Sequence, residues 1–233
     1  MRLADSDNNQ PLKLEGVEDI LPLHPFSWRV ILRMMRKDKI LSMIFSMAQD
    51  YSLYFENKNM LFVYSDSNGL QNIESLFLGH HFRHLTGIKT TLRPNDFYKR
   101  ALAKRLSEND LGQVESVVEL KLEAFLLLKN ALEKGCSISI GRKNQGIGYR
   151  IYSDLLVGTT KACLGFVEDS GSDFYVPNTL LKADIRKEAQ KSFPVLLVCI
   201  KNKKEPFYRV SFCREGFDRS CLPDEILSRV EAS

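Results

Sequence analysis

Three of the four histidines of the chain lie within the nine residues GHHFRHLTG, at His80, His81 and His84. The unperturbed pKa of histidine is close to neutrality, so the same side chain can take or give a proton during a reaction. His80 and His84 are four residues apart, which places both side chains on one face of a helix. The cluster predicts acid–base chemistry on a short helical segment. The structural alternative is a set of histidines that pack and hydrogen-bond backbone carbonyls.

A metal site is a second alternative for the same side chains. His80, His84 and an acid such as Asp96 are ligands that zinc accepts. The chain lacks the HExxH arrangement, in which a glutamate accompanies two zinc-binding histidines. Its five cysteines are irregularly spaced and include no CxxC pair, which predicts reduced and mostly buried thiols. We therefore expect neither a bound metal nor a cofactor.

Positive charge is concentrated in two segments of the chain. Residues 80–105 contain seven Lys and Arg residues against one acid, and residues 182–209 contain eight against three. An acidic stretch separates the two segments. If the two segments meet in space they form a positive groove suited to a polyanion, and if they do not, each is a solvated face. The net charge of +4 allows either interpretation.

Hydrophobic periodicity predicts helices first and strands afterwards. Apolar residues at helical spacing predict helices at about 39–51, 94–107 and 113–134, with a short strand at 59–64. After Gly135 the period becomes two, which predicts strands at 137–141, 149–157, 162–167, 195–200 and 207–212. A helix at 180–191 would be capped by Asn178 or Thr179. This order is typical of an α+β fold, with the N-terminal helices packed on a roughly four-stranded antiparallel sheet.

The ends of the chain and its composition suggest a soluble cytoplasmic protein. Apolar residues make up 44% and charged residues 27%, which are ordinary globular values. No apolar run approaches the ~18–20 residues that span a bilayer. The polar N-terminus lacks the apolar centre of a secretory signal. Residues 1–35 are expected to be an extended arm, 36–213 the main domain, and 214–233 a tail with a short helix.

Three motifs, in this order, carry a family resemblance. They are HLTGI at 84–88, FYKRAL at 97–102 with a long helix after it, and YVPNTLLKADIR at 175–186 followed by two strands. The combination resembles the phage-associated barnase–EndoU–colicin–RelE-like (BECR) nucleases, in their fourth phage-type subgroup, over about residues 36–213. The resemblance implies helices packed on a four-stranded antiparallel sheet. It also implies a metal-independent endoribonuclease that acts on RNA and is linked to phage or mobile-element conflict. An immunity or antitoxin protein is a further partner that this role suggests.

The resemblance also implies roles for particular residues. His84 matches the motif histidine, and Thr86, Asn178 and Thr179 match the other motif positions. Arg83 stands where the family has an apolar residue, which leaves open which histidine transfers the proton. From charge and location we add Lys201 and Arg209, so that the predicted catalytic set is His84, Thr179, Lys201 and Arg209. The predicted substrate contacts are His80, His81, Arg83, Thr86, Lys89, Arg100, Asn178 and Lys182.

The chemistry of metal-free RNA cleavage suits these residue types. The 2′-hydroxyl of the substrate is the nucleophile, so the reaction needs a base, an acid and fixed positive charge near the phosphate. Two other functions fit the sequence: a non-catalytic RNA- or protein-binding module on the same fold, and the metal-dependent hydrolase. The absence of any histidine after His84 supports the binding module, because a base on the sheet would have to be another residue type.

Overall fold

The structure is a computed structural model that describes residues 36–142 and 153–231. The predicted arm at 1–35 and most of the GRKNQGIG loop lie outside the described residues. The first half of the chain contains α1 (Lys37–Tyr54), β1 (Lys58–Asp66), β2 (Gly69–Phe77), α2 (Phe82–Thr86), α3 (Pro94–Leu102) and α4 (Ser116–Lys134). The second half contains β3 (Ser137–Arg142), β4 (Leu155–Gly158), β5 (Cys163–Glu168), β6 (Tyr175–Leu181), α5 (Ile185–Glu188), β7 (Ala189–Asn202), β8 (Arg209–Cys213) and α6 (Asp224–Leu227).

Seven of the eight described strands form a closed sheet. Their order is β1-β2-β6-β5-β4-β3-β7, and β7 returns to pair with β1, while β8 pairs with β7 outside the closed set. All of these pairings are antiparallel except that of β2 with β6, which consists of the single parallel pair Ser75 and Tyr175. The closed sheet is therefore mixed.

The expected roughly four-stranded antiparallel sheet beneath N-terminal helices is wrong. Two nine-residue strands, β1 and β2, precede all the helices except α1. The sequence analysis missed β2, because its GLQNIESLF segment has polar residues on both faces near its start and gives no clear alternation. The strand β7 is 14 residues long, and it pairs with β3, β1 and β8 along different parts of its length.

The helices and one face of the sheet share the main core. The buried side of α1 carries Ile40, Ile44, Met47 and Tyr51, and that of α4 carries Val118, Leu122 and Phe125 at the same helical spacing. These side chains meet the alternate residues of β1, Met60 and Phe62, in one cluster. Tyr51 also contacts Phe82, with ring centroids 5.4 Å apart, so the first residue of α2 is packed against the core. Among the described residues, no helix has the length and apolar character needed to cross a membrane.

The C-terminal segment covers the opposite face of β1 and β7. Leu61, Val63, Leu197 and Cys199 pack there against Tyr208, Leu222 and Ile226. Glu74 lies at the polar edge of this cluster, where its carboxylate accepts hydrogen bonds from the Tyr208 hydroxyl, Arg229 and the Asn59 amide. One carboxylate thus holds the C-terminal segment to the closed sheet.

Replacing Glu74 with alanine is expected to lower the free energy of unfolding by about 3 kcal/mol. The substitution leaves a partly buried arginine, a buried phenol and a buried amide without their shared acceptor. The measurement is urea denaturation of Glu74→Ala and wild type. The matched control is Glu115→Ala, which removes an exposed carboxylate paired with Lys89 and should cost less than about 1 kcal/mol. Equal losses in the two variants would contradict this role for Glu74.

Candidate active site

The HLTG motif forms a rigid turn at the end of α2. Gly87 follows the helix with φ 72°, a left-handed conformation that glycine adopts without strain. The Thr86 hydroxyl donates to the Arg83 carbonyl at 2.8 Å and accepts from the Ile88 amide at 3.2 Å. Leu85 points into the core. These contacts fix the backbone of α2, and from it His84 projects into solvent.

Lys121 of α4 lies against this turn. A Cβ built on Gly87 would lie 2.9 Å from the Lys121 Cδ, so the motif glycine leaves room for the lysine stem. The Lys121 ammonium donates to the His84 carbonyl at 3.1 Å and to the Thr179 hydroxyl at 3.3 Å. Burial lowers the pKa of Lys121 below its usual value. The lysine therefore joins α4, the HLTG turn and β6 at one point.

A β-bulge in β6 supplies the opposite wall. Thr179 pairs with Gly165 and Pro177 pairs with Phe166, so Asn178 is the extra residue between two consecutive pairs. A bulge of this kind re-aims side chains at the edge of a site. Asn178 lines the groove beside His84, and Thr179 contacts Lys121.

The expected helix at 180–191, capped by Asn178 or Thr179, is wrong. The PNTLL residues belong to strand β6, the next helix is only the four residues Ile185–Glu188, and β7 begins at Ala189. Asn and Thr before an apolar run are typical of a helix cap, but Asn178 and Thr179 lie at the bulge of an otherwise apolar strand.

A groove of about 420 Å³ opens between α2, α4 and β6, and we call it the His84 groove. Its lining residues are Arg83, His84, Gly87, Ile88, Lys89, Thr90, Lys121 and Asn178. Three of them are cationic side chains, one is the histidine, and none is a carboxylate. This composition suits an anionic ligand such as a phosphodiester.

The surroundings of His84 favour its neutral form. Partial burial lowers the pKa of His84, and the nearby charges of Arg83, Lys121 and His80 lower it further. An imidazole with a lowered pKa is unprotonated at neutral pH and can accept a proton from a substrate hydroxyl. His84 therefore has the electrostatic character of a general base.

His81 has a different environment from its two neighbours. Its side chain is 7% exposed, and its Nδ1 accepts the Leu78 amide at 3.1 Å. Burial, followed by the charges of His80 and His84, lowers the pKa of His81 to about 4. The exposed His80 stacks edge-on against it, with ring centroids 4.2 Å apart. His81 thus supports the turn that carries the other two histidines.

The remaining predicted contacts divide between the groove and other parts of the surface. At the groove, Arg83 donates to the Leu92 carbonyl at 3.0 Å and Lys89 pairs with Glu115. Lys182 pairs with Glu123 on α4. Arg100 pairs with Asp110, and it does not line the groove.

Lys201 and Arg209 also lie outside the lining of the His84 groove. The Lys201 ammonium lies 4.6 Å from the centroid of the Tyr208 ring, and Arg209 pairs with Glu205 at 3.3 Å. Lys121, which the sequence analysis missed, takes the position near His84 that Lys201 was expected to hold. Its signal was available: it lies three residues after Val118 and four before Phe125, at the edge of the buried face of α4.

No group of three or more His, Cys, Asp or Glu side chains in residues 36–142 and 153–231 is arranged to hold a metal ion. A site built from His80, His84 and Asp96 therefore has no support in this part of the chain.

The comparison with protein families agrees with the resemblance seen in the motifs. The family model described as phage-Barnase-EndoU-ColicinE5/D-RelE like nuclease4 (PBECR4) matches residues 43–212. The chain belongs to this family. Membership in PBECR4 makes nucleic acid the substrate class, and the match spans every element that builds the His84 groove. No curated protein and no solved structure matches the chain.

Replacing His81 with asparagine is expected to flatten the dependence of stability on pH. In the unfolded chain histidine binds a proton as the pH falls through 6.5, whereas folded His81 stays neutral down to about pH 4. Wild type should therefore lose about 2 kcal/mol of unfolding free energy from this group between pH 6.5 and 5. The asparagine keeps an acceptor for the Leu78 amide without titrating. Urea denaturation across this range measures the difference, and parallel pH profiles for the two proteins would contradict it.

Proposed function

We propose that this chain is a metal-independent endoribonuclease whose active site is the His84 groove. One observation carries the proposal: an exposed histidine with a lowered pKa stands beside a half-buried lysine in a groove where no described lining residue is a carboxylate. Membership in a nuclease family supports the substrate class. RNA is preferred over DNA in this proposal, because such a site lacks a nucleophile of its own and can use the 2′-hydroxyl of ribose.

In the proposed reaction His84 is the base. Its neutral imidazole takes the proton of the 2′-hydroxyl, and the oxygen attacks the adjacent phosphorus. The bond from phosphorus to the 5′-oxygen of the next nucleotide then breaks. The products are a 2′,3′-cyclic phosphate and a free 5′-hydroxyl.

The proton for the leaving 5′-oxygen comes from His80 in this proposal. His80 does not itself line the His84 groove, but it is exposed and close enough to His84 for its charge to lower the pKa of His84. Acid and base catalysis in one step requires two groups, and His80 lies four residues before His84 on the same short segment. The doubling of histidines before the HLTG motif supports this division of labour.

Lys121 stabilises the phosphate as it gains negative charge. Its ammonium is already oriented by the His84 carbonyl and the Thr179 hydroxyl, so little reorganisation accompanies the reaction. We assign this role to Lys121 and not to Lys201 or Arg209, because only Lys121 lines the groove. Asn178, on the bulge, is placed to contact a base or ribose of the substrate. The family description names phages, which supports a role in phage or mobile-element conflict, with an immunity protein as its counterpart.

Wild-type protein is expected to cleave RNA in the presence of EDTA, and His84→Ala should lose at least about 100-fold in kcat/KM. An oligonucleotide with a 2′-deoxyribose at the cleaved position should be resistant. Because His84 is exposed, its substitution should leave the thermal midpoint unchanged, which controls for folding. Expression of wild type, but not of the variant, should arrest bacterial growth.

The other functions predict other results in the same assay. RNA binding that weakens with salt but leads to no cleavage would contradict the nuclease proposal and indicate a binding module. Activity that EDTA abolishes and zinc or manganese restores would indicate a metal-dependent hydrolase. Equal activity in wild type and His84→Ala would exclude His84 from the mechanism.

Replacing Lys121 with methionine is expected to move the acidic limb of the pH–rate profile. Wild type should lose activity below pH 6.5, as His84 becomes protonated at its lowered pKa. The methionine keeps the stem but removes one of the charges that lower this pKa, so the limb should shift upward toward pH 6.5. The plateau should fall about 100-fold, because a stabilising charge at the phosphate is lost. Lys204→Met, on the exposed β7–β8 turn, is the matched control, and an unshifted limb in Lys121→Met would contradict the arrangement.

A further inference from the structure

A second groove lies at the other end of α4, and it plays no part in the chemistry proposed above. It encloses about 300 Å³. Its lining residues include Arg186, Arg214, Ser137, Thr159, Thr160 and Gly135, and no carboxylate is among the residues that line it. We call it the Arg214 groove. Two arginines with three hydroxyl side chains offer hydrogen bonds of the kind that a phosphate accepts.

The guanidinium of Arg214 is held in an orientation that suits a phosphate ligand. It is half-buried, and its Nε donates to the Val195 carbonyl at 3.0 Å, which fixes the plane of the guanidinium. Within residues 36–142 and 153–231, the hydrogen bonds of Arg214 do not use its two terminal nitrogens. A guanidinium held by one nitrogen, with the other two available, is suited to bidentate contact with phosphate oxygens.

Arg186 is less available than Arg214. Its guanidinium forms two hydrogen bonds with Asp184, at 3.0 and 2.8 Å, so its charge is locally compensated. The Arg186 side chain of this ion pair is exposed and lies at the edge of the groove. Because the charges of Arg186 and Asp184 balance, the pair does not make the groove acidic. Arg214 is therefore the residue on which anion binding depends.

The two grooves lie along the same two elements of the chain. One is α4, which carries Lys121 of the His84 groove and is followed directly by Gly135 of the Arg214 groove. The other is the segment 178–186, which begins with Asn178 in the first groove and ends with Arg186 in the second. Between them, Lys182 reaches across to Glu123 on α4 and joins the two elements.

The spacing of the grooves fits several nucleotides of one strand. Lys121 and Gly135 are separated by 14 residues along α4, which at 1.5 Å per residue is about 21 Å. A stacked strand advances about 3.4 Å per nucleotide, so this separation corresponds to roughly six nucleotides.

We infer that the Arg214 groove binds a backbone phosphate of the same RNA strand whose cleaved linkage lies in the His84 groove. This inference rests on the proposed function, because it extends the substrate of that site. Binding follows the seam between α4 and residues 178–186, and it is independent of sequence because it reads phosphate. Short RNAs fill only the His84 groove, and RNAs longer than about six nucleotides also reach Arg214.

The test is fluorescence anisotropy with labelled oligouridine RNAs of 4 and 12 nucleotides. The full-length chain carries His84→Ala so that the RNA stays intact. Adding Arg214→Gln should weaken binding of the 12-mer about tenfold and reduce the slope of log affinity against log salt by about 1. The affinity for the 4-mer should change less than twofold. Thr160→Glu, an exposed substitution that places a carboxylate at the groove, should give the same pattern if Arg214→Gln fails to fold.

The matched control is Lys204→Gln, which removes an exposed cation from the β7–β8 turn. An equal loss for this control would show that only overall charge matters and would overturn the inference. The same holds if Arg214→Gln weakens the 4-mer as much as the 12-mer, or weakens neither. Failure of the proposed function has a separate signature, since wild type would then cleave neither RNA while the binding series still reports on the Arg214 groove.

Discussion

Lys121 is half-buried, and its ammonium group donates to the carbonyl of a histidine on one element and to the hydroxyl of a threonine on another. A lysine in such a place is stabilised only if polar atoms replace its hydration, so the HLTG turn and the β6 bulge must both be correctly placed. Each motif therefore has a structural reason. Gly87 leaves room for the aliphatic stem of Lys121, and the Thr86 hydroxyl fixes the backbone of the turn. The bulge places the Thr179 hydroxyl within hydrogen-bond distance of the Lys121 ammonium.

Lys121 also contributes to the proton affinity of His84. Partial burial lowers the pKa of His84, and the charges of Arg83 and then Lys121 lower it further, so its neutral form is favoured. A carboxylate beside the imidazole would raise the pKa and also repel a phosphate. Among the described residues that line the groove none is an acid, which agrees with the lowered pKa of His84.

Much of the local structure was predictable from sequence, but the closed sheet was not. The periodicity of α1 and α4, the β3–β4 and β7–β8 hairpins and the histidine cluster follow from hydrophobic spacing and residue type. The pairing of β1 with β7 joins residues about 140 positions apart, and no local pattern encodes it. The bulge at Asn178 looks like a helix cap in the sequence, since Asn and Thr suit both. Lys121 lies at the edge of the buried face of α4, a position that the helical spacing indicates, but a charged residue within an apolar helix is ordinarily assigned to the solvent side.

The number of paired residues differs between neighbouring strands of the closed sheet. Most neighbouring strands are joined by four or more residue pairs, whereas β2 and β6 meet at Ser75 and Tyr175 alone. The HLTG turn comes after β2 in the chain and the bulge belongs to β6, so the two sides of the His84 groove adjoin the two strands of this single pairing. The two sides are held to each other by the hydrogen bonds of Lys121 to the His84 carbonyl and the Thr179 hydroxyl, and by packing of α2 and α4 on β6. At this one place, side-chain contacts therefore supply much of the connection that backbone pairing supplies around the rest of the closed sheet.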